Sequence, residues 1–130
     1  MEKGGHTVFR IIVAEDDAAL QKLFCKVLDR NGFSVVGVSD GLEALELMER
    51  EFVDLIVSDI MMPGIDGFEF AKTVRSLNEN IPILFMTARD DFASKQRGYR
   101  IGVDDYMVKP IDLDELFLRI GALLRRAKIA

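Results

Sequence analysis

Six polar residues stand where four short apolar runs end. Glu15, Asp16 and Asp17 follow the first run, Asp59 the third, Thr87 the fourth and Lys109, with Pro110 behind it, the fifth. Carboxylates held within a few ångströms of one another repel and raise one another's pKa unless a cation lies among them. Oxygen donors without His or Cys favour a hard ion, and a small incomplete carboxylate set suits Mg²⁺ better than a full Ca²⁺ cage. A lysine adds a second positive charge and a threonine a donor. A carboxylate nucleophile surrounded by a metal, an ammonium and a hydroxyl has what phosphoryl transfer requires: positioning, and neutralisation of charge on the transferred oxygens.

Each residue also has an ordinary reading. One of the three leading carboxylates would cap a helix, and Asp17 fits that role alone. Asp59 would begin the turn at Pro63 and Gly64, although that turn already has Asp66. Lys109 by itself reads as a solvated loop lysine, and Tyr106 as a half-buried strand aromatic. The chemical reading therefore depends on whether the chain brings these positions together.

The elements that would do so are legible. Apolar, β-branched runs at 8–13, 33–38, 53–58, 81–86 and 105–108 have strand length, and their unbroken apolarity suits a parallel sheet buried on both faces. Between them lie segments of helical spacing. Leu20, Leu23, Phe24, Val27 and Leu28 mark the first, and Leu42, Leu45 and Met48 the second. Leu113, Leu116, Phe117, Ile120, Leu123 and Leu124 mark the last. Asp40 with Glu43, Asp66 with Glu69 and Asp112 with Glu115 have capping-box spacing. Asp90 and Asp91 open the fourth helix, the least apolar of the set and the candidate mobile element. Five successive strand-helix units predict one doubly wound, five-stranded parallel α/β domain with five helices on both faces. Its ligands belong at the carboxyl ends of the strands, beside the switch point, where the polar residues stand.

Composition limits the alternatives. The chain has 130 residues, 49% of them hydrophobic and 30% charged, which suits one soluble domain. A single cysteine, Cys25, and a single histidine, His6, exclude an internal disulfide and the usual zinc sites. The net charge of −5 gives nothing global to attract nucleic acid or anionic lipid. No run is long enough for a membrane span and no signal peptide opens the chain, so a cytoplasmic protein without a membrane partner is expected. Residues 1–6 are expected to be a disordered tail, residues 7–127 the domain, and residues 128–130 the start of a linker or the chain end.

The segments Val13-Ala-Glu-Asp-Asp17, Ser58-Asp-Ile-Met-Met-Pro-Gly-Ile-Asp-Gly67, Met86-Thr-Ala-Arg89 and Asp104-Asp-Tyr-Met-Val-Lys-Pro110 closely resemble the receiver domain of two-component response regulators. That resemblance implies a flavodoxin-like sheet of order 2-1-3-4-5, and phosphoryl transfer from a sensor histidine kinase onto Asp59. It implies Mg²⁺ held by Glu15, Asp16, Asp59 and the backbone carbonyl of Met61, with Thr87 and Lys109 on the phosphoryl oxygens. Thr87 and Tyr106 would form the switch, Tyr106 turning inward as Thr87 is drawn to the phosphoryl group. The Lys109–Pro110 bond would be cis, a form found in about 5–6% of X–Pro bonds. Met61 and Arg89, each two residues beyond a site residue, border the path of attacking water, and Met61 cannot orient it by hydrogen bonding.

The segment Leu123-Leu-Arg-Arg126 is similar to the end of a receiver that precedes a winged-helix DNA-binding domain of the OmpR/PhoB type. The likeness implies a homodimer on phosphorylation through Lys95, Asp105, Glu115 and Arg119, with DNA reached only through an effector domain. Arg100 and Gly121 depart from that pattern. Three rival readings remain. An aspartyl phosphatase would carry an acid where Met61 stands, and a nucleotide or flavin binder would carry a glycine-rich phosphate loop that is absent. A receiver-like interaction module that is never phosphorylated, or a stand-alone receiver acting on a partner protein, is the third. The expectation is a phosphoacceptor that slowly loses its own phosphoryl group rather than a turnover enzyme.

Overall fold

A computed structural model describes residues 8–129, and the side chains of 8–127. The expected tail at 1–6, with His6, lies outside the described residues. The chain alternates β1 (Arg10–Ala14), α1 (Ala18–Arg30), β2 (Ser34–Val38), α2 (Gly41–Arg50), β3 (Leu55–Ser58), α3 (Gly67–Leu77), β4 (Ile83–Thr87), α4 (Phe92–Ile101), β5 (Asp105–Val108) and α5 (Leu113–Ile129). All strand pairings are parallel, in the order β2-β1-β3-β4-β5. The expected doubly wound, flavodoxin-like fold is the one found.

Successive strand residues point to opposite faces, and this divides the core. Ile12, Ala14, Ile56, Ile83 and Phe85 meet Ala44 and Leu47 of α2 and Phe68, Phe70, Ala71 and Val74 of α3. Ile11, Val13, Leu55, Val57, Leu84 and Met86 meet Phe24 and Leu28 of α1 and Leu116, Ile120, Leu123 and Leu124 of α5. β1, β3 and β4 begin two residues inside the apolar runs that announce them. Val53 and Ile81 are buried in the core but precede the paired ladder, so apolarity there serves packing before it serves pairing.

Two helix readings need correction. Leu23 of α1 and Leu42 of α2 are 44% and 56% exposed, although their spacing assigns them to the buried stripe. In α2 the core residues are Ala44 and Leu47, with Leu45 and Met48 packed at the margin. A small alanine occupies the central position, and size-weighted periodicity overlooks it. The N-caps are as expected: Asp17, Asp40, Asp66 and Asp91 accept from the N–H of Leu20, Glu43, Glu69 and Ser94. Asp112 does the same for Glu115 at 3.0 Å. Among the three pairs only Glu43 of α2 reaches back past its cap, accepting from the N–H of Ser39, one residue before Asp40, at 2.7 Å. Glu115 is instead drawn to Arg119, one turn along the exposed face.

α4 is the most thinly packed helix: the residues it buries are Ser94 and Gly98. A methyl group at Gly98 would lie 3.3 Å from the Phe85 ring, so the absence of a side chain lets the helix approach the sheet closely. Its low apolarity follows from this contact through backbone and small residues.

Candidate functional site

In this topology the chain reverses its winding direction between β1 and β3, which opens a crevice at their carboxyl ends. The pairing of Ala14 with Ser58 places Glu15 and Asp59 side by side at that edge. Asp59 N–H donates to Ala14 O at 3.0 Å, so the backbone register fixes the Asp59 position. Both carboxylates are buried, Glu15 to 1% exposure and Asp59 to 5%.

Each carboxylate oxygen has a partner. Asp59 Oδ1 accepts from the N–H of Ile60 at 2.6 Å and Met61 at 3.3 Å. Asp59 Oδ2 accepts from Lys109 Nζ at 2.8 Å. The same ammonium donates to Glu15 Oε1 at 2.6 Å, while Glu15 Oε2 accepts from Asp17 N–H at 3.1 Å. Burial pushes the Glu15 carboxyl above its usual range, only partly offset by Lys109 and the Asp17 N–H. Burial would lower the Lys109 ammonium, but its hydrogen bonds to Asp59 and Glu15 prevail and raise it. Lys109 is thus held charged between two carboxylates that need it.

Asp16 is exposed at the rim, and one oxygen from each of Glu15, Asp16 and Asp59 lies within 4.8 Å of the others. Three carboxylates with one ammonium leave two uncompensated negative charges in a partly buried crevice. An all-oxygen set with that residual charge matches a hard divalent cation such as Mg²⁺. The residues present therefore fit the metal.

The remaining expected positions surround this centre. Thr87 is fully buried at the end of β4, where its Oγ1 accepts weakly from Arg89 N–H at 3.4 Å. Lys109 N–H donates to Thr87 O at 2.8 Å, and the Lys109–Pro110 peptide is cis as the resemblance implied. Tyr106 is in the inward position, 7% exposed, its ring edge-to-face with Phe85 and its hydroxyl donating to Arg89 O at 2.5 Å. Met61 is 61% exposed beside Asp59, and Arg89 lies 3.8 Å from Asp91 at the opposite rim. The dimer-face residues pair within the chain: Arg119 with Asp105 at 2.7 Å and Glu115 at 2.8 Å, and Lys95 with Asp90 at 2.9 Å.

Residue types and spacing did not reveal two supports of the site. Gln21 of α1 donates from Nε2 to both Glu15 O and Val38 O at 2.8 Å, tying β1 to β2 beneath the acidic cluster. Gly67 opens α3 directly against the loop that begins at Asp59: a Cβ there would lie 2.4 Å from Asp59 O. The glycine itself was visible in the motif, but its reason is a long-range approach.

A crevice of this kind at the switch point of such a sheet defines a receiver. The family model described as the response regulator receiver domain matches residues 11–121, and the chain belongs to that family. It is 44% identical over 119 residues to the response regulator MprA of Mycobacterium leprae, a match covering 92% of this chain and 52% of the relative. MprA of Mycobacterium ulcerans is 42% identical over 120 residues with the same shares. The chain thus spans about half the length of these curated relatives. Among solved structures, the Francisella response regulator 1452 receiver domain superposes with a TM-score of 0.85 at 36% identity, covering 90% of this chain and 97% of that one. The chemotaxis response regulator CheY4 of Vibrio cholerae gives 0.84 at 30% identity, covering 90% and 99%. No helix among the described residues is long and apolar enough to cross a membrane.

Proposed function

We propose that this receiver accepts a phosphoryl group on Asp59 from a phosphohistidine of a sensor histidine kinase, and that this controls an output. The observation that carries the reading is the pairing of Asp59 Oδ2 with the Lys109 ammonium beside an acidic set whose charge is only partly neutralised. An oxygen of Asp59 attacks phosphorus, the phosphorus–nitrogen bond breaks, and the electron pair leaves with the imidazole. The backbone N–H groups of Ile60 and Met61 hold the other Asp59 oxygen, which orients the carboxylate for attack. Lys109 and Thr87 would stabilise the charge on the transferred oxygens. Glu15, Asp16, Asp59 and the Met61 carbonyl would hold Mg²⁺, which supplies charge neutralisation for transfer.

Transfer then biases two packings of α4 and its neighbours. Tyr106 is already inward here, so Thr87 drawn toward the phosphoryl group would favour this placement over an outward one, and activity is a population shift rather than a new fold. The output is transcription through a winged-helix domain in the remainder of a longer protein. Its DNA binding would be promoted by a homodimer that exchanges the internal pairs of Arg119, Asp105, Glu115 and Lys95 for pairs between subunits. The protein acts in the cytoplasm and is not a turnover enzyme.

The test is intact mass after incubation with acetyl phosphate, with and without Mg²⁺, on the wild type and on Asp59→Asn. A Mg²⁺-dependent gain of one phosphoryl group, lost in the variant, is the expected result. No gain while Mg²⁺ still binds would leave the receiver as an interaction module that is never phosphorylated.

A further inference from the structure

Away from the acidic crevice, α3 and α4 enclose a cleft of about 510 Å³ whose charge is opposite to that of the whole chain. Lys72, Arg75, Arg97 and Arg100 line it against one carboxylate, Glu69, in a protein of net charge −5. From Phe92 to Ile101, α4 carries no acidic residue. Arg75 has its own structural duties: it donates to Gly102 O, Ile81 O and Asn78 O and pairs with Asp104. No carboxylate among the described residues pairs with Lys72, Arg97 or Arg100. Arg97 is nevertheless ordered, its guanidinium lying 4.2 Å from the centre of the buried Phe68 ring. A guanidinium held over an aromatic face keeps N–H groups for an anion and loses less freedom on binding one.

We infer that this cleft binds a compact polyanion carrying two or more phosphate groups. Its volume lies within the range of small-ligand sites, about 300–1,000 Å³. Three cations without carboxylate partners offset most of the charge of a triphosphate, and guanidinium forks suit phosphate oxygens. An extended nucleic acid would meet the acidic remainder of the surface, whereas a compact ligand is confined to the basic cleft. Phe68 is covered by Arg97, which leaves no open ring for a base to stack on. Recognition therefore lies in the phosphates, and inorganic triphosphate and a nucleoside triphosphate should bind alike. The site is independent of Asp59, and its failure would leave the phosphoacceptor reading untouched.

The test is an amide NMR titration of the whole chain with inorganic triphosphate and, separately, with ATP, in metal-free buffer at physiological salt. Lys72→Ala combined with Arg100→Ala removes two exposed charges that make no contact the fold needs. Lys22→Ala with Lys26→Ala removes two charges from the surface of α1 as a control. Saturable shifts on α3 and α4, weakened by about tenfold or more in the first variant and unchanged in the second, are expected. Shifts that do not saturate, or that weaken equally in both variants, would reduce the cleft to general charge attraction and overturn the proposal. Binding of ATP but not triphosphate would equally overturn it, by showing that the nucleoside is what is recognised.

Discussion

Replacing Lys109 by Met keeps the apolar stem and removes only the ammonium, so it isolates what that charge does for the two carboxylates. Two charge-assisted hydrogen bonds are lost, of 2.6 Å to Glu15 and 2.8 Å to Asp59. Each such bond contributes about 1.5–3 kcal/mol, giving roughly 3–6 kcal/mol before relaxation. The lysine side chain is 18% exposed, so water can replace part of its hydration of the carboxylates. We expect a net destabilisation of about 2–4 kcal/mol in metal-free buffer near neutral pH, read by urea unfolding with linear extrapolation. The pH dependence identifies the cause. In the wild type the Lys109 pKa is raised above 10.5, so its contribution is complete below that value and is lost as pH rises through the folded pKa. In the variant the Glu15 carboxyl, already raised by burial, loses the influence of Lys109 that lowers it and climbs further. A raised carboxyl pKa disfavours the folded state as pH rises through it, so the gap between the two proteins should narrow in acid as Glu15 protonates. It should narrow again in strong base, where wild-type Lys109 also becomes neutral. Mg²⁺ should stabilise the variant more than the wild type, since three carboxylates then lack a cation rather than two charges' worth. A gap below about 1 kcal/mol, the scale of an exposed pair, or one that is flat with pH, would refute the reasoning.

Three further outcomes follow from named contacts. Gly67→Ala would force a methyl group within 2.4 Å of Asp59 O and 2.6 Å of Ile60 Cα, backbone atoms that cannot move cheaply. It should cost about 1–3 kcal/mol in urea unfolding and also slow labelling by acetyl phosphate, because the displaced residue is the proposed phosphoacceptor. The Asp91 carboxyl is lowered by its hydrogen bonds to Ser94, so its contribution to α4 is present above the ordinary carboxyl value of 3.8 and is lost as pH falls through the folded pKa. Asp91→Ala should therefore raise hydrogen exchange in α4 near neutral pH, while leaving α1 and α5 unchanged. Met61→Asn places a hydrogen-bonding group on an exposed position beside Asp59, so loss of the phosphoryl group should quicken; an unchanged hydrolysis rate would count against water access as the limit.

The candidate site was legible because each of its polar residues follows or ends a strand, and strands buried on both faces announce themselves as local apolar runs. Once β1, β3, β4 and β5 are parallel, their carboxyl ends must share one edge, and Glu15, Asp59, Thr87 and Lys109 meet without further information. What stayed hidden is set by contacts between elements far apart in the chain. Nothing in the type or spacing of Gln21 says that its amide will bridge Glu15 O and Val38 O. That bridge needs Gly37 on β2, where a Cβ would come within 2.6 Å of the Gln21 side chain. Arg75 likewise reads as an ordinary solvated helix residue, yet it braces the end of α3 against Gly102 and Asp104. Leu23 and Leu42 err the other way, since periodicity assigns a face but not the width of surface that neighbouring elements cover.

The same asymmetry explains where this domain can move. Around Asp59 the backbone register, Lys109 and Gly67 all fix one position, and any displacement there breaks several contacts at once. α4 is held instead by Gly98 against Phe85, by the half-buried Ile101 at its end and by an aspartate cap, with no large apolar side chain fully buried. The two packings proposed for it can therefore lie close in free energy, and a ligand need only interact differently with each to shift their populations. Phe85 touches Phe68 on one side, at 5.7 Å between centroids, and Tyr106 on the other, at 6.1 Å. Any rearrangement of Tyr106 must accommodate that rigid aromatic row, and Gly98 is the point where α4 rests on it. A larger residue at Gly98, whose Cβ would lie 3.3 Å from the Phe85 ring, should accordingly shift the balance between the proposed packings only as far as they differ in that contact, and hydrogen exchange in α4 reads that shift.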